Sequence, residues 1–501
     1  MELDNEKLKE IKEAVKKREI KLYRLEEYIF KELFNSDAEQ FRQAIETAEN
    51  IRAEIIEENL GVTLDKIKDS DKYKEKDFIN TSKLKEEGVV KGTELKIGTA
   101  KIPLSISGPI SMKLPFLDDA KDFFIPIATN EAALVAGLNR GFKAMNLASE
   151  NFNKIGNEKN VTKKALTTSV VYNGMTRAPL LEAPDIISAQ KFAENINSGK
   201  YNQMFSKIVQ ENAEYSKFMD VKAFQIQNKI WLRLRFNTGE AMGMNSAVKY
   251  TTLIMKELLD SNKHPENKNI TLIALSGNLC CDKKAAMINI TEGRGYKVEA
   301  SIIISAEILK NVFNVTADKI IKLNFWKNHF GSSLAGSVTG LNANAANTIA
   351  AIFAACGQDL AQIVESSTCY TFAAPVLEDT ISSGCEVCKG ALKFSVTLPC
   401  LEIGTIGGGT GFGTAKEAFK VIFSPLYKEI EKQKKEESKE VLIDDLNKYI
   451  NDEETSNPKS TIFAQLIAVA VLAQELNLLA VLANEYALCD SHMMLARGER
   501  S

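Results

Sequence analysis

The feature that most restricts the fold of this 501-residue chain is an apolar stretch over residues 461–483. A run of this length either crosses a membrane as a helix or forms the buried central helix of a large domain. Four polar residues interrupt it: Gln465, Gln474, Glu475 and Asn477. Because a bilayer interior penalises carboxylate and amide groups, we predict a buried core helix that extends to about Leu488, and no transmembrane segment.

The overall composition is that of an ordinary globular protein. Apolar residues make up 45% and charged residues 26% of the chain, which excludes a disordered or collagen-like protein. The 63 basic and 66 acidic residues give a net charge of −3, so the chain has no bulk attraction for nucleic acid or for a membrane surface. Local cationic clusters must therefore bind any anionic ligand. The length predicts about three domains.

The eight cysteines are too sparse for a disulfide scaffold. The charged N-terminal sequence lacks the apolar core of a signal peptide, and we expect a cytoplasmic protein. Cys385 and Cys388 have the spacing of a metal or redox pair, so a zinc-dependent or acyltransferase enzyme is one alternative. A single pair without a nearby histidine is a weak indication, and no metal site is predicted.

The first part of the chain, residues 1–93, has the periodicity of amphipathic helices. Leu8, Ile11 and Val15 recur every three or four positions, and residues 36–39 have capping-box spacing. We predict a small helical domain here. Beyond it, strands are predicted at residues 102–109, which end in a turn, and at residues 123–127.

The remaining patterns predict a larger domain with a module inserted in it. Helices are predicted at residues 129–145 and 343–364, and residues 425–458 form a charged insertion without assigned chemistry. Between them, residues 230–236 alternate apolar and polar side chains, and a helix and the strand 270–275 follow. This order is typical of a compact α+β module.

Two segments place charged groups where they can act on a substrate. Glu131 begins the helix predicted at residues 129–145. If this carboxyl group is buried among apolar residues, its pKa rises and it can donate a proton; alternatively, it is an ordinary acid at a helix N-terminus. Lys283 and Lys284 follow the strand predicted at residues 270–275. An ammonium group there can stabilise an oxyanion, or the loop is a common exposed turn.

Three further segments complete the set of candidates. Asp359 interrupts a predicted apolar helix, and a buried carboxylate requires a partner; Lys283 is the candidate. His492 follows the long apolar helix, and its ordinary pKa of about 6.5 suits the protonation of a leaving group. Residues 239–245 open a helix whose N–H groups can bind phosphate, or are simply a helix start.

In this order, the segments resemble 3-hydroxy-3-methylglutaryl-CoA (HMG-CoA) reductases, and more closely the class I type. The resemblance runs from about residue 8 to Arg497 and excludes the charged insertion. The matching segments are residues 102–109, 129–140, 174–177, 241–245, 276–284, 292–295, 331–347, 356–362, 402–410 and 491–493. Each match alone is weak, whereas all of them in order over the catalytic length are specific.

The resemblance implies reduction of the HMG-CoA thioester to mevalonate and CoA with two equivalents of NADPH. It also implies catalytic roles for four residues: Glu131, Lys283, Asp359 and His492. Substrate-binding residues by the same match are Arg177, Ser276, Asp282, Lys284, Lys327 and Asn347, with Arg140 and Lys143 for the phosphates of CoA. Cofactor-binding residues by the match are Ser216, Lys217, Phe218, Glu240, Met242, Gly243, Met244, Asn245 and Arg497.

The family fold is α+β, with a helical N-terminal domain, a large domain around a long central helix, and an inserted small NADP-binding domain that is not a Rossmann fold. On this chain the resemblance implies boundaries of 1–93 for the first domain, 94–178 with 275–501 for the second and 179–274 for the third. It also implies a homodimer or homotetramer with shared active sites, in which the Lys283 loop completes a neighbour's site.

The chain departs from the family pattern at the cofactor segments, where Glu240 replaces Asp and Lys217 replaces Arg. A lysine attracts a 2′-phosphate but lacks the bidentate guanidinium, so use of NADH on the same fold is one alternative. The other is a non-catalytic scaffold or regulatory relative, although the retained Glu131 and Lys283 argue against it.

Overall fold

The computed structural model describes residues 5–17, 19–20, 25, 28–29, 31, 38–63, 102–114, 117, 119–159, 165–337, 339–376, 389–433 and 458–484. The chain divides into two compact units. One comprises Met1–Thr99 and Phe412–Leu442, and the other comprises Ala100–Gly411 and Ile443–Ser501. The three domain boundaries implied by the resemblance stay a prediction.

The α-helices in chain order are α1 Asn5–Lys16, α2 Ala38–Leu60, α3 Ala132–Lys159, α4 Ile186–Asn197, α5 Asn202–Asn212, α6 Met244–Leu258, α7 Met287–Thr291, α8 Ala306–Ile308, α9 Ala317–Leu323, α10 Ser332–Leu334, α11 Ala345–Ala355, α12 Ile363–Ser366, α13 Gly413–Gln433 and α14 Pro458–Leu482. The π-helical segments Leu309–Phe313 and Asn324–Gly331 continue α8 and α9. The strands are β1 Leu104–Met112, β2 Lys121–Ala128, β3 Leu166–Arg177, β4 Leu180–Glu182, β5 Lys217–Ile226, β6 Lys229–Asn237, β7 Thr271–Ala274, β8 Gly295–Ile304, β9 Gly340–Leu341, β10 Cys369–Pro375 and β11 Leu392–Leu401.

The first unit is helical where the structure describes it, as its apolar periodicity predicts. Ile11 and Val15 of α1 join Ile51 and Ile55 of α2 in one hydrophobic cluster. Lys12 pairs across the two helices with glutamates of α2. Burial of the apolar stripes therefore holds these helices together.

The second unit is built on a nine-stranded sheet with the order β7-β4-β6-β3-β8-β11-β10-β9, and β5 pairs with the edge of β6. The strand β3 is shared by two parts of this sheet. Its first part pairs with β8, and its last three residues, Met175, Thr176 and Arg177, pair with β6. This change of partner places Arg177 at the junction of the two parts.

The helix α14 is buried along nearly its whole length and forms the centre of this unit. It contacts β3, β8 and β11 of the sheet, together with α3 and α11. Gly141 of α3 permits the close approach, because a Cβ atom there would lie 2.3 Å from the carbonyl oxygen of Ala473. The predicted central helix is confirmed, but it ends at Leu482 and does not extend to Leu488.

Among the described residues, α14 is the helix whose length and composition would allow it to cross a membrane. Of its most apolar window, 89% is buried inside the protein.

The segment between β3 and β7 has its own hydrophobic core, formed by α4, α5, α6, β5 and β6. Phe205, Phe236 and Tyr250 are among its buried aromatic residues. Its described strands pair antiparallel, whereas a doubly wound dinucleotide-binding sheet is parallel. The predicted α+β fold with a non-Rossmann module is confirmed.

Three local predictions need correction. The turn predicted at Gly108 is a bulge inside β1, because the pairing with β2 shifts register and then continues. The helix predicted over residues 343–364 ends at Ala355, because Gly357 adopts a φ of +63°. The predicted charged insertion begins inside a helix, since α13 passes through Pro425 and reaches Gln433. Residues 434–457 lie outside the described part of the chain.

Candidate active site

The loop between β7 and α7 carries Lys283 in an unusual backbone conformation. Asn278, Cys281 and Lys283 all have positive φ angles, of 64°, 55° and 59°, a region that residues other than glycine rarely occupy. Two hydrogen bonds fix the loop beside the end of β3. The Gly277 N–H donates to the carbonyl of Ala178 at 2.7 Å, and the Thr176 hydroxyl donates to the carbonyl of Cys280 at 2.9 Å.

The predicted ion pair between Lys283 and Asp359 is present, with 3.1 Å between Nζ and Oδ2. The predicted burial of Asp359 is wrong, since 35% of its side chain is exposed. Because α11 ends before Gly357, Asp359 lies in a loop and caps the 3₁₀ turn Leu360–Gln362 by accepting the Ala361 N–H. Asp359 therefore pairs with Lys283 at the protein surface.

The predicted substrate-binding residues Arg177, Ser276, Asp282 and Lys284 surround the same loop. Asp282 is hydrogen-bonded through Oδ1, which accepts from Arg294 at 2.9 Å and from Gln362 at 2.8 Å. Arg177 lies 3.8 Å from the other oxygen of Asp282. Ser276 is half-buried, whereas Lys284 is exposed and bonds through its ammonium to the Asp282 carbonyl. The loop and the end of β3 thus bring Lys283, Lys284 and Arg177 close together.

A buried network supports this loop from below, and its centre is Arg294, which is fully buried. The guanidinium binds the carboxylates of Glu402 and Asp282 and donates to the carbonyl of Cys280 at 3.0 Å. Glu365 lies 3.9 Å from it. One carboxylate oxygen from each of Asp282, Glu365 and Glu402 lies within 4.8 Å of the other two. The positive charge of Arg294 therefore offsets part of the negative charge of these closely spaced acids.

Burial and mutual repulsion shift the ionisation of these acids. Burial, together with the neighbouring Glu402, raises the pKa of Glu365 to about 9. Burial also raises the pKa of Glu402, against the opposing effect of Arg294. Burial opposes the charge of Arg294, but the nearby carboxylates outweigh it and raise its pKa.

The sequence did not suggest functions for Arg294, Glu365 or Glu402. Each is a charged residue next to small or apolar ones, for example Arg294 between two glycines. Such a residue requires a buried partner, but the sequence does not identify it.

A second group of predicted site residues forms around Glu131. Its carboxylate accepts a hydrogen bond from Asn347 at 3.1 Å. Glu131 immediately precedes α3, and its own N–H donates to the hydroxyl of Thr129. Of the two alternatives for Glu131, the single chain favours an ordinary acid at a helix N-terminus, because the residue is exposed at the start of α3.

Three residues predicted to bind anions lie near this second group or on α3, the helix that follows Glu131. Arg140 and Lys143 are exposed and stand one turn apart on α3. Lys327 lies in the π-helical segment after α9. Burial raises the pKa of Glu475, and the charge of Lys327 acts in the opposite direction. Glu475 accepts the N–H groups of residues 343 and 344 at the start of α11, so Lys327 is near that helix end.

Within one chain, the two groups lie at opposite ends of α11. Asn347 is in its first turn, whereas Asp359 follows its C-terminal residue, Ala355. The eight residue steps from 347 to 355 span about 12 Å of helix. The Glu131 and Lys283 groups are therefore separate in the single chain.

The predicted cofactor segments come together through one strand pairing. Lys217 pairs with Asn237 and Phe218 pairs with Phe236 in the β5–β6 hairpin, so Ser216 and its neighbours lie beside the loop that leads to α6. Gly243 has a φ of +91° directly before α6. Of the other residues predicted here, Met242 and Met244 are half-buried and Asn245 is exposed.

Glu240, in the same loop, binds backbone N–H groups at the start of α14. Its carboxylate accepts the backbone N–H groups of Lys459 and Ser460 at 2.9 and 2.8 Å, and the hydroxyls of Ser460 and Thr405 at 2.7 and 2.8 Å. It thereby caps the N-terminus of the central helix α14.

Four residues named in the sequence analysis lie outside the described residues: His492, Arg497, Cys385 and Cys388.

Comparison with known proteins identifies the family. The family model described as hydroxymethylglutaryl-coenzyme A reductase matches residues 48–497. The 3-hydroxy-3-methylglutaryl-coenzyme A reductase of Pyrococcus abyssi is 33% identical over 490 residues, which cover 98% of this chain and 100% of the relative. That of Aeropyrum pernix is 36% identical over 405 residues, which cover 81% of this chain and 82% of the relative.

The fold agrees with this assignment. The class II 3-hydroxy-3-methylglutaryl-CoA reductase from Streptococcus pneumoniae, whose structure is bound to NADPH in open conformations, superposes with a TM-score of 0.54 at 15% identity. The match covers 86% of each chain, so the likeness extends over most of the fold. The chain belongs to the hydroxymethylglutaryl-coenzyme A reductase family.

Proposed function

We propose that this protein reduces HMG-CoA to mevalonate and CoA with two equivalents of NADPH, as a cytoplasmic homo-oligomer. The family assignment supports the reaction. The observation that carries the proposal is the 3.1 Å ion pair between Lys283 and Asp359 on a tethered loop. Such a pair provides the fixed positive charge that thioester reduction requires.

Lys283 stabilises the oxyanion that forms when the thioester carbonyl is reduced. Asp359 holds this ammonium in place, since the two groups are in direct contact. The cations beside the loop, Arg177 and Lys284, bind the free carboxylate of the substrate, with Ser276 and Asp282 in support.

The two remaining predicted catalytic residues supply protons. His492 protonates the thiolate of CoA when the hemithioacetal intermediate collapses. Glu131 protonates the oxygen of mevaldehyde in the second reduction, and its hydrogen bond from Asn347 fixes its direction. Two successive reductions in one site explain the need for two proton sources.

The residues near β5 and β6 suit the phosphates of NADPH, which supplies hydride when bound. Among the described residues, no side chain caps helix α6 at its N-cap residue Gly243, and a helix N-terminus favours an anion. Gly243 fits tightly there, because a Cβ atom would lie 2.3 Å from the side chain of Thr238. The exposed Lys217 adds a cation on the neighbouring strand. Met244 also touches Arg294, which connects this segment to the Lys283 loop.

A second subunit completes the site. The Glu131 group and the Lys283 group lie at opposite ends of α11 in one chain, about 12 Å apart along the helix. In a symmetric oligomer, the Lys283 loop of one subunit meets the Glu131 group of the next. Both a dimer and a tetramer provide this arrangement.

The test is oxidation of NADPH by the purified protein with and without HMG-CoA, and identification of mevalonate by mass spectrometry. We expect oxidation that depends on HMG-CoA, and its loss in Lys283→Met. The matched control is Lys297→Met, which removes another exposed lysine paired with an acid on β8. Wild-type protein that does not oxidise NADPH in the presence of HMG-CoA contradicts the proposal. A parallel assay with NADH measures the cofactor preference.

A further inference from the structure

The proposed reaction assigns no role to Glu365, although it touches the catalytic loop. This residue lies on α12, six positions after Asp359, and is fully buried. Its Oε1 accepts the backbone N–H of Lys283 at 2.7 Å. Asp359 binds the ammonium of the same lysine at 3.1 Å. One short segment of the chain therefore holds Lys283 at its amide and at its side-chain end.

The backbone of Lys283 needs such a support. Its φ of +59° is in the left-handed region, which costs free energy for a residue with a side chain. The direction of its N–H and of its Cα–Cβ bond follows from this conformation. Without an acceptor for the N–H, the residue can relax to a right-handed conformation, which turns the side chain away from Asp359.

We propose that Glu365 is a positioning residue of the reductase reaction: it binds the Lys283 backbone from within the protein and so directs the ammonium group toward Asp359 and the substrate oxygen. The inference rests on the proposed function, because it assigns Lys283 to the oxyanion. Glu365 itself is buried and acts on the reaction through Lys283.

The protonation of Glu365 matters to this role. Glu365 and Glu402 each keep one buried oxygen, Oε2, without a hydrogen-bond partner among the described residues. One proton on Glu365 satisfies both, because the carboxyl group then donates to the carboxylate of Glu402. Since the pKa of Glu365 is raised to about 9, the proton is present at neutral pH. The titratable and charged groups that face Glu365 are Glu402, Arg294, Asp282, Lys283 and Cys400.

Two variants of the full-length protein separate this role from simple packing. Glu365→Gln keeps an oxygen for the Lys283 N–H and an N–H donor for Glu402, and we expect kcat within roughly threefold of wild type. Glu365→Leu fills the space without either hydrogen bond. For it we expect a fall in kcat of about 100-fold with little change in KM for NADPH, since misplacement of a catalytic group acts mainly on the chemical step.

The pH profile gives a signature that packing would not produce. In wild type, kcat declines as pH rises through about 9, because ionised Glu365 repels Glu402 and no longer donates to it. In Glu365→Gln there is no proton to lose, and the decline moves to higher pH. An unchanged profile in the Gln variant, or wild-type kcat in the Leu variant, overturns the proposal. The control Glu299→Gln, at a half-buried position of β8 whose side chain is 45% exposed, should keep the wild-type profile.

Amide hydrogen exchange tests the same contact without any activity. We expect peptides that span residues 276–286 to exchange at wild-type rates in Glu365→Gln, and at least about tenfold faster in Glu365→Leu. Wild-type protection of this loop in the Leu variant overturns the proposal even if that variant is inactive. If wild type does not turn over HMG-CoA but the exchange rates change as expected, the proposed function fails while the support of Lys283 by Glu365 stands.

Discussion

At the scale of single residues, the site depends on how each charged group is held. Lys283 is bound at its backbone N–H by Glu365 and at its ammonium by Asp359. Two separate contacts therefore fix its position. Among the described residues, Glu131 has a single side-chain partner in Asn347, and it is exposed in the isolated chain. The two groups that we propose to act in succession are therefore fixed to different degrees.

The residue-scale prediction concerns Glu131. Glu131→Gln removes the transferable proton but keeps an oxygen that accepts from Asn347, so the fold should be unaffected. We expect mevalonate formation to fall by about 100-fold or more, measured by mass spectrometry of the product. Full turnover by this variant would show that another group donates the proton.

At the scale of elements, the central helix α14 connects distant parts of the second unit. Its N-terminus is capped by Glu240, which follows β6, and its buried Glu475 in turn caps α11 through Ala343 and Asn344. Carboxylates thus accept backbone N–H groups at the starts of two helices. The positions of the proposed catalytic groups at the ends of α11 depend on this arrangement.

Glu240→Gln tests the first of these caps. The amide replaces one acceptor oxygen by a donor that faces the N–H groups of Lys459 and Ser460, so we expect the free energy of unfolding to fall by about 2–3 kcal/mol. Urea denaturation followed by circular dichroism measures this. Glu257→Gln, which breaks an exposed ion pair with Lys263, should cost less than about 1 kcal/mol. Equal losses in both variants would exclude a special role for the cap.

The contact between α3 and α14 gives a second prediction at this scale. In an exposed helix, replacing glycine by alanine usually increases stability by about 0.5–1 kcal/mol. At Gly141 we expect the opposite, a loss of about 1–3 kcal/mol, because the new methyl group meets the backbone of Ala473. Thermal unfolding measures the sign. Gly331→Ala, where only the carbonyl of Trp326 lies within 4 Å, at 3.3 Å, should change stability by less than about 1 kcal/mol.

At the scale of the whole molecule, a buried acid makes stability depend on pH. The pKa of Glu365 is raised to about 9 in the folded protein, whereas it is near 4.3 in an unfolded chain. Between these values the folded state binds the extra proton, so the contribution of Glu365 to stability is complete below the lower value and is lost as pH rises toward 9.

We therefore predict that Glu365→Gln becomes more stable relative to wild type as pH increases from 6 to 8. The slope of the difference is at most about 1.4 kcal/mol per pH unit, measured by urea denaturation at each pH. A difference that is constant over this range would mean that Glu365 is already ionised in the folded protein.

The shared site gives the second prediction at this scale. Glu131→Gln and Lys283→Met are each expected to be inactive, but a mixed dimer of the two contains one intact site if the groups come from different subunits. After unfolding and joint refolding in equal amounts, we expect about a quarter of the wild-type activity. No recovery in refolded mixtures, with wild type refolded alongside as the control, would place both groups of each site in one chain.

Several elements of the fold and one contact of the candidate site could be predicted from the sequence. The apolar residues 461–483 with few polar interruptions predict the central helix, and alternation at residues 230–236 predicts a strand that the structure contains as β6. The pairing of Lys283 with Asp359 was also predictable, because a carboxylate in an apolar stretch and two adjacent lysines after a strand each require an opposite charge.

Local sequence patterns establish the periodicity of the elements and the chemical type of each candidate group. Which groups are buried, and which groups meet, depends on the packing of the folded chain. The apolar surroundings of Asp359 in the sequence predict a buried carboxylate, yet it is exposed, while Arg294 and Glu402, 108 residues apart, form a fully buried pair. Burial and pairing arise from contacts between distant segments, which no local pattern encodes. For the same reason, only the fold places Glu131 and Lys283 at opposite ends of α11.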